Sequence, residues 1–171
     1  VFAPEIIKAK YGHEISTANL LFYSTTALAA GDFFSAWVSQ YLKNRRIVIA
    51  LFNFVALAMM AAFFLNPLPL SREAVFMSYA VMTFFVGCWV LIVTAVSEDF
   101  GTNLRATVTA ALPNFSRGST ILTTLAITTL KAHMPIYEAV LWVGLCVFLM
   151  SFLCLLSSSE TFGKPLDYLE E

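Results

Sequence analysis

Charge is scarce in this sequence: Asp, Glu, Lys and Arg make up 12% of its 171 residues, against about a quarter in an ordinary soluble domain. A soluble domain needs charged side chains to cover its surface, whereas a chain solvated by lipid must turn apolar side chains outward. With 59% hydrophobic residues and a mean hydropathy of +0.78, lipid is the expected solvent. A basic block is also missing beyond Lys43, Arg45 and Arg46, and the formal net charge is −1. That excludes an electrostatic footprint for nucleic acid. Cysteine is sparse and odd in number; Cys88, Cys146 and Cys154 each sit in an apolar run, which excludes a disulfide framework and a closely spaced metal site. His13 and His133 lie far from any residue with ligand spacing, so no metal or general-base role is assigned to them. Neither a nucleophile elbow nor a phosphate-cradling glycine loop is present. The sequence therefore points to no enzyme and no cofactor. No signal peptide pattern opens the chain at Val1, and the expectation is that the start of a longer protein precedes it.

What is abundant is apolar length. A transmembrane helix needs about 20 mainly apolar residues to cross roughly 30 Å of hydrocarbon. Five stretches meet that length, at 16–42, 47–65, 74–96, 106–130 and 136–156. The expected fold is an all-α, polytopic transmembrane bundle, with 1–14 as an external segment and 157–171 as a cytoplasmic tail. The gaps between spans are short and polar: Lys43 to Arg46, Asn66 to Glu73 with Pro67 and Pro69, Ser97 to Arg105, and Lys131 to Pro135. Five spans put the two ends on opposite sides. The cluster Lys43, Arg45 and Arg46 favours a cytoplasmic address for the first loop, which makes the C-terminus cytoplasmic as well. Lys43, Arg45, Arg46, Arg105 and Lys164 then fall inside, and Lys8, Lys10, Arg72 and Lys131 outside.

Two residues are expensive to place in such a bundle. Asp32 lies about 11 residues before Lys43, which at 1.5 Å per residue puts it roughly 16 Å deep. A carboxylate at that depth carries a penalty of about 2.5–3.5 kcal/mol and normally faces a cavity or a partner. It reads either as a proton-titrating or cation-binding group, or as half of a structural ion pair. Arg117 lies about 12 residues beyond Arg105, at a similar depth of roughly 18 Å. Asn114, Thr120, Thr124 and Thr128 fall within about 60° of Arg117 on a helical wheel, forming one polar stripe. That stripe is expected to line a cavity, with helix packing as the alternative. Pro113 removes a backbone donor from the same helix. Gly31, Ser35 and Ser39 repeat at four-residue spacing, a small-residue pattern that lets two helix backbones approach closely. Thr25, Asp32 and Ser39 share one line, so Asp32 and Arg117 meet if their helices are neighbours. Trp89 and Tyr79 on the third span are aromatic platforms for a ligand, or ordinary packing residues.

The loops carry a further pattern. Gly31 to Arg46, GDFFSAWVSQYLKNRR, resembles the basic motif that joins the eighth and ninth helices in the major facilitator superfamily. Arg45 and Arg46 match it, Ser39 or Gln40 stands in place of its aspartate, and Asn44 in place of its last glycine. Glu98, Phe100 and Arg105 in SEDFGTNLRAT resemble the segment after the tenth helix of sugar-porter and organic-ion relatives, with Gly101 replacing a proline. Glu160 to Glu171, ETFGKPLDYLEE, is similar to the tail that follows the twelfth helix, with Ser159 where a proline stands in the family.

The resemblance implies that residues 16–156 are helices eight to twelve of a twelve-helix secondary transporter, with helices one to seven upstream as the missing partner. It implies alternating access around a midplane site, in a plasma or bacterial inner membrane. The cargo would be a small metabolite such as a sugar, organic ion or carboxylate, moved with protons. Asp32, Arg117, Asn114, Thr120, Thr124, Thr128 and Trp89 are then the substrate or coupling candidates. Arg45, Arg46, Glu98, Arg105 and Glu160 are the cytoplasmic gate candidates, unless their charges only set topology. A transporter-like receptor that binds without flux, and a structural helical subunit of a membrane complex, are the other readings of the same residues.

Overall fold

The computed structural model describes residues 2–66, 68 and 70–164. These form seven helices and no strand among the described residues: α1 (Ala3–Tyr11), α2 (Thr17–Leu42), α3 (Arg45–Leu65), α4 (Arg72–Val86), α5 (Trp89–Asp99), α6 (Thr102–Leu130) and α7 (Ile136–Ser157). Tight local chemistry sets the boundaries. Lys43 turns the chain in the left-handed region (φ 50°), and the Asn44 side chain then accepts the Ile47 N–H at 2.8 Å to start α3. Ser71 opens α4 in the same way, accepting from Ala74 N–H at 3.3 Å. Short connections of this kind force neighbouring helices to run antiparallel.

Among the described residues three helical segments are long and apolar enough to cross a membrane: Arg45–Leu65, Arg72–Asp99 and Ile136–Ser157. The helices α2 and α6 are as long, but their hydroxyls, amides and charged groups lower their apolarity. The exterior is rich in large apolar side chains, among them Phe33 (77% exposed), Trp37, Phe115, Trp142 and Met150, whereas Ser35 and Ser39 are fully buried. Small polar residues buried at helix contacts, with large apolar side chains turned outward, is the distribution expected for a lipid-solvated bundle.

The stretch 74–96, expected as one continuous span, is divided. The α-helix stops at Gly87, which has φ −68° and ψ 71°, and resumes after Cys88. The cause is a backbone contact with α2. A Cβ on Gly31 would sit 2.0 Å from the Phe84 carbonyl oxygen, and one on Gly87 would sit 2.5 Å from the Leu28 carbonyl oxygen. Only glycine fits on either side. Gly31, Ser35 and Ser39 are all buried along the seam where α2 packs on α4 and α5.

At the opposite end from the Lys43 turn, α1 closes the bundle. Ile6 and Ile7 bury against Phe63, Phe64, Val75 and Ile136. Lys10 Nζ and Tyr11 OH donate to the carbonyls of Phe64 and Phe63, the latter at 2.7 Å, at the C-terminus of α3. Those carbonyls lack intrahelical donors, so α1 satisfies them.

Gly31→Ala should lower the apparent melting temperature of the purified chain sharply, because the added methyl meets backbone rather than a flexible side chain. Gly118→Ala in α6, where no atom lies within 4 Å of the new Cβ, should be neutral or stabilising by about 0.5–1 kcal/mol. Equal melting temperatures for the two variants in detergent would refute the glycine contact.

Candidate functional site

The residues singled out from the sequence fall into three places. The first is the break between α4 and α5. Val90 is near the start of α5, where backbone N–H groups have no partner within their own helix. Asp32, directly after Gly31 on α2, accepts that N–H through Oδ1 at 3.2 Å. Trp89, half-buried, stands beside it as the first residue of α5. A carboxylate at a helix N-terminus is favoured both by the hydrogen bond and by the helix dipole.

The second place is α6. It packs on α5 and α7, has no buried residue, and runs unbroken through Pro113. Arg117, Thr120, Thr124 and Thr128 line one shallow groove of about 440 Å³, together with Ile121 and Leu125. Asn114 is exposed a turn away. The hydroxyls of Thr120 and Thr128 donate to carbonyls of their own helix, at 3.4 Å to Ser116 and 2.8 Å to Thr124. Arg117 forms no ion pair with Asp32. The expected meeting of these two does not occur, because α2 packs on α3, α4 and α5 and its carboxylate is taken up by the α5 N-terminus.

The third place is the end of the bundle that holds the Lys43 turn, and it brings together residues from three distant loops. Arg45 Nη2 lies 2.5 Å from Glu98 Oε1, and the two side chains are only 10% and 14% exposed. The Arg45 guanidinium also lies over the Phe162 ring, 5.5 Å from its centroid. Glu160 accepts the backbone N–H groups of Arg45 at 2.9 Å and Arg46 at 3.1 Å, closing the N-terminus of α3. It also accepts those of Thr161 and Phe162, at 3.0 and 2.9 Å. Arg46 Nη2 donates to the Leu156 carbonyl at 2.9 Å, at the C-terminus of α7. Arg105 donates to the carbonyls of Ser97 (2.6 Å) and Phe100 (3.1 Å) beside Glu98. Lys164 pairs with Asp99 at 2.5 Å. The portion of the tail motif from 165 to 171 lies outside the described residues.

Sequence reasoning missed Asp99, Phe162 and Lys164 in this cluster, and Lys10, Tyr11 and His13 at the other end, where His13 Nε2 is 2.8 Å from the Leu70 carbonyl. Lone charges at helix ends were the available signal, but their partners are mostly backbone groups. No group of three or more His, Cys, Asp or Glu side chains able to hold a metal is found among the described residues. Comparison with protein-family models, with curated proteins and with solved structures returned no match.

Burial pushes the Glu160 carboxyl upward, but the N–H groups of Arg45, Phe162, Arg46 and Thr161 outweigh it and hold the group below the ordinary glutamate value. A carboxyl depressed in the folded state adds stability that is present above its unfolded pKa and lost as pH falls through the folded one. Stability of the wild-type chain should therefore fall on acidification below the ordinary glutamate range, and Glu160→Gln should flatten that part of the curve. At neutral pH the substitution should cost about 1 kcal/mol, as for a lost helix cap. Glu98→Ala should cost roughly 3–5 kcal/mol by leaving Arg45 buried without its partner, and Arg45→Met with Glu98→Leu should recover most of it. Detergent unfolding curves across pH measure all of these.

Proposed function

We propose that the chain is the C-terminal part of a secondary active transporter resembling the major facilitator superfamily, with α2 to α7 forming five spans that correspond to its helices eight to twelve. In this reading α4 and α5 together form the third span. The observation that carries the proposal is the convergence of Arg45, Glu98 and Glu160. These residues come from the three loop segments that resemble family motifs, and Arg45 joins the other two, its guanidinium to Glu98 at 2.5 Å and its backbone N–H to Glu160 at 2.9 Å. A loop cluster that served only topology would need positive charge, not interlocking carboxylates from two other segments.

On this reading the cluster is an inner gate that closes in the outward-facing state and opens when the two halves rock. Arg117 and the threonine stripe of α6 form part of a central substrate surface completed by the other half of the transporter. Asp32 is the coupling carboxylate, held at the start of α5 by its bond to the Val90 N–H. The cargo is a small metabolite carrying an anionic group, because a guanidinium suits a carboxylate. The C-terminus is cytoplasmic. The outward-facing stripe on α6 favours transport over a structural helical subunit, and a receptor would show binding without flux.

Uptake by the full-length protein in liposomes, with a pooled panel of labelled metabolites and an imposed proton gradient, tests this directly. Gradient-driven accumulation is expected, Asp32→Asn should make uptake indifferent to the gradient, and Arg117→Ala should reduce it at least about tenfold, the scale of one lost charge-assisted contact. Saturable binding without flux for every compound would replace the transporter by a receptor.

A further inference from the structure

The bundle end that carries the ion pairs also holds two mainly apolar crevices, each bordered by residues of the charged cluster. One, of about 270 Å³, opens between α3, α5 and α7 over Ile49, Ile92 and Leu155. The other, of about 330 Å³, lies between α3 and α7 beside Ala50 and Leu155. Arg46 lines both, so they adjoin at one cationic residue.

The charges at this end are unevenly matched. Arg45 has Glu98 and Lys164 has Asp99, whereas the Arg46 guanidinium donates to the Leu156 carbonyl and pairs with no carboxylate among the described residues. Its planar fork of donors keeps capacity for an anion with several oxygens. A second, independent feature sits in the first crevice. Thr161 lines it, is 3% exposed, and its buried hydroxyl has no hydrogen-bond partner. Buried polar atoms of this kind are rare in native structures, and a bound water, ion or ligand group is one way to satisfy them.

We propose that Arg46 and Thr161 form a binding site for an anionic phospholipid, with the lipid phosphate on the Arg46 guanidinium and one acyl chain in each crevice. The proposal rests on the reading that α3, α5 and α7 stand in a bilayer with this end at its surface. Basic residues at such a depth between helices suit anionic headgroups. The carboxylates lining the crevices are already engaged, Asp99 by Lys164 and Glu160 by backbone N–H groups. The ammonium of a zwitterionic lipid would find no counter-charge, so a phosphatidylglycerol-type headgroup is preferred over phosphatidylcholine.

Native mass spectrometry of the full chain, released from detergent with equimolar phosphatidylglycerol and phosphatidylcholine, reads the site directly. Phosphatidylglycerol should be retained preferentially, and Arg46→Gln, which removes the positive charge, should weaken retention about tenfold, the loss expected for one charge-assisted hydrogen bond. Ala50→Phe and Cys154→Phe, each filling one crevice with Arg46 intact, should weaken it as well. Retention that is unchanged in Arg46→Gln, or equal for the two lipids, overturns the site. Displacement of the lipid by millimolar inorganic phosphate while both crevice variants bind normally assigns the site to free phosphate and overturns the lipid. Alkaline carbonate extraction of membranes separates the two levels: a chain that stays in the pellet yet shows no lipid preference refutes this site alone, and a chain released to the supernatant refutes the bilayer reading and the site with it.

Discussion

Two glycines in backbone contact determine how the centre of the bundle is built. With no Cβ at Gly31 or Gly87, α2 reaches the backbone of the neighbouring segment, and a straight helix cannot pass there. The break at Gly87 and Cys88 exposes the first N–H groups of α5, which then need an acceptor. The residue next to Gly31 is Asp32, so the contact that breaks the helix also delivers a carboxylate to its new N-terminus. The buried Ser35 and Ser39 extend the same seam. Close approach, helix break and carboxylate position are thus one arrangement.

A similar solution closes the bundle end that holds the Lys43 turn. Glu160, 115 residues from Arg45 in sequence, sits on the start of α3, much as Asp32, 58 residues from Val90, sits on the start of α5. Each such cap contributes only about 0.3–2 kcal/mol. The buried Arg45 and Glu98 pair roughly breaks even once desolvation is counted. These interactions therefore fix geometry more than they add stability. A contact with small net energy and exacting geometry is compatible with the proposed gate, which would have to form and separate repeatedly.

Helix positions were legible in the sequence because apolar length and polar gaps mark them directly: the stretch 16–42 corresponds to Thr17–Leu42, and 136–156 to Ile136–Ser157. The break in 74–96 was not, since Gly87 lies in an apolar run whose hydropathy does not change across it. Depth arithmetic placed Asp32 and Arg117 at one level but says nothing about which helices are neighbours, so their pairing failed. The members of the charged cluster were legible one by one, as charges in the polar gaps and the tail. Their partners were not, because most are backbone N–H and carbonyl groups, which every residue carries and no pattern of side chains reveals.

The hydroxyls of α6 sharpen what the transporter reading asks of its cargo. Thr120 and Thr128 give their protons to carbonyls of their own helix, so their oxygens are left facing the groove as acceptors. Arg117 supplies donors only. A ligand in this groove therefore meets a cationic fork and, along the same line, a row of acceptors. A simple carboxylate satisfies the first and leaves the second unmet. A carboxylate that also carries hydroxyl or ammonium donors satisfies both, so within the proposed transporter a hydroxy acid or amino acid is a better match to this face than an uncharged sugar, which would leave the arginine without a counter-charge.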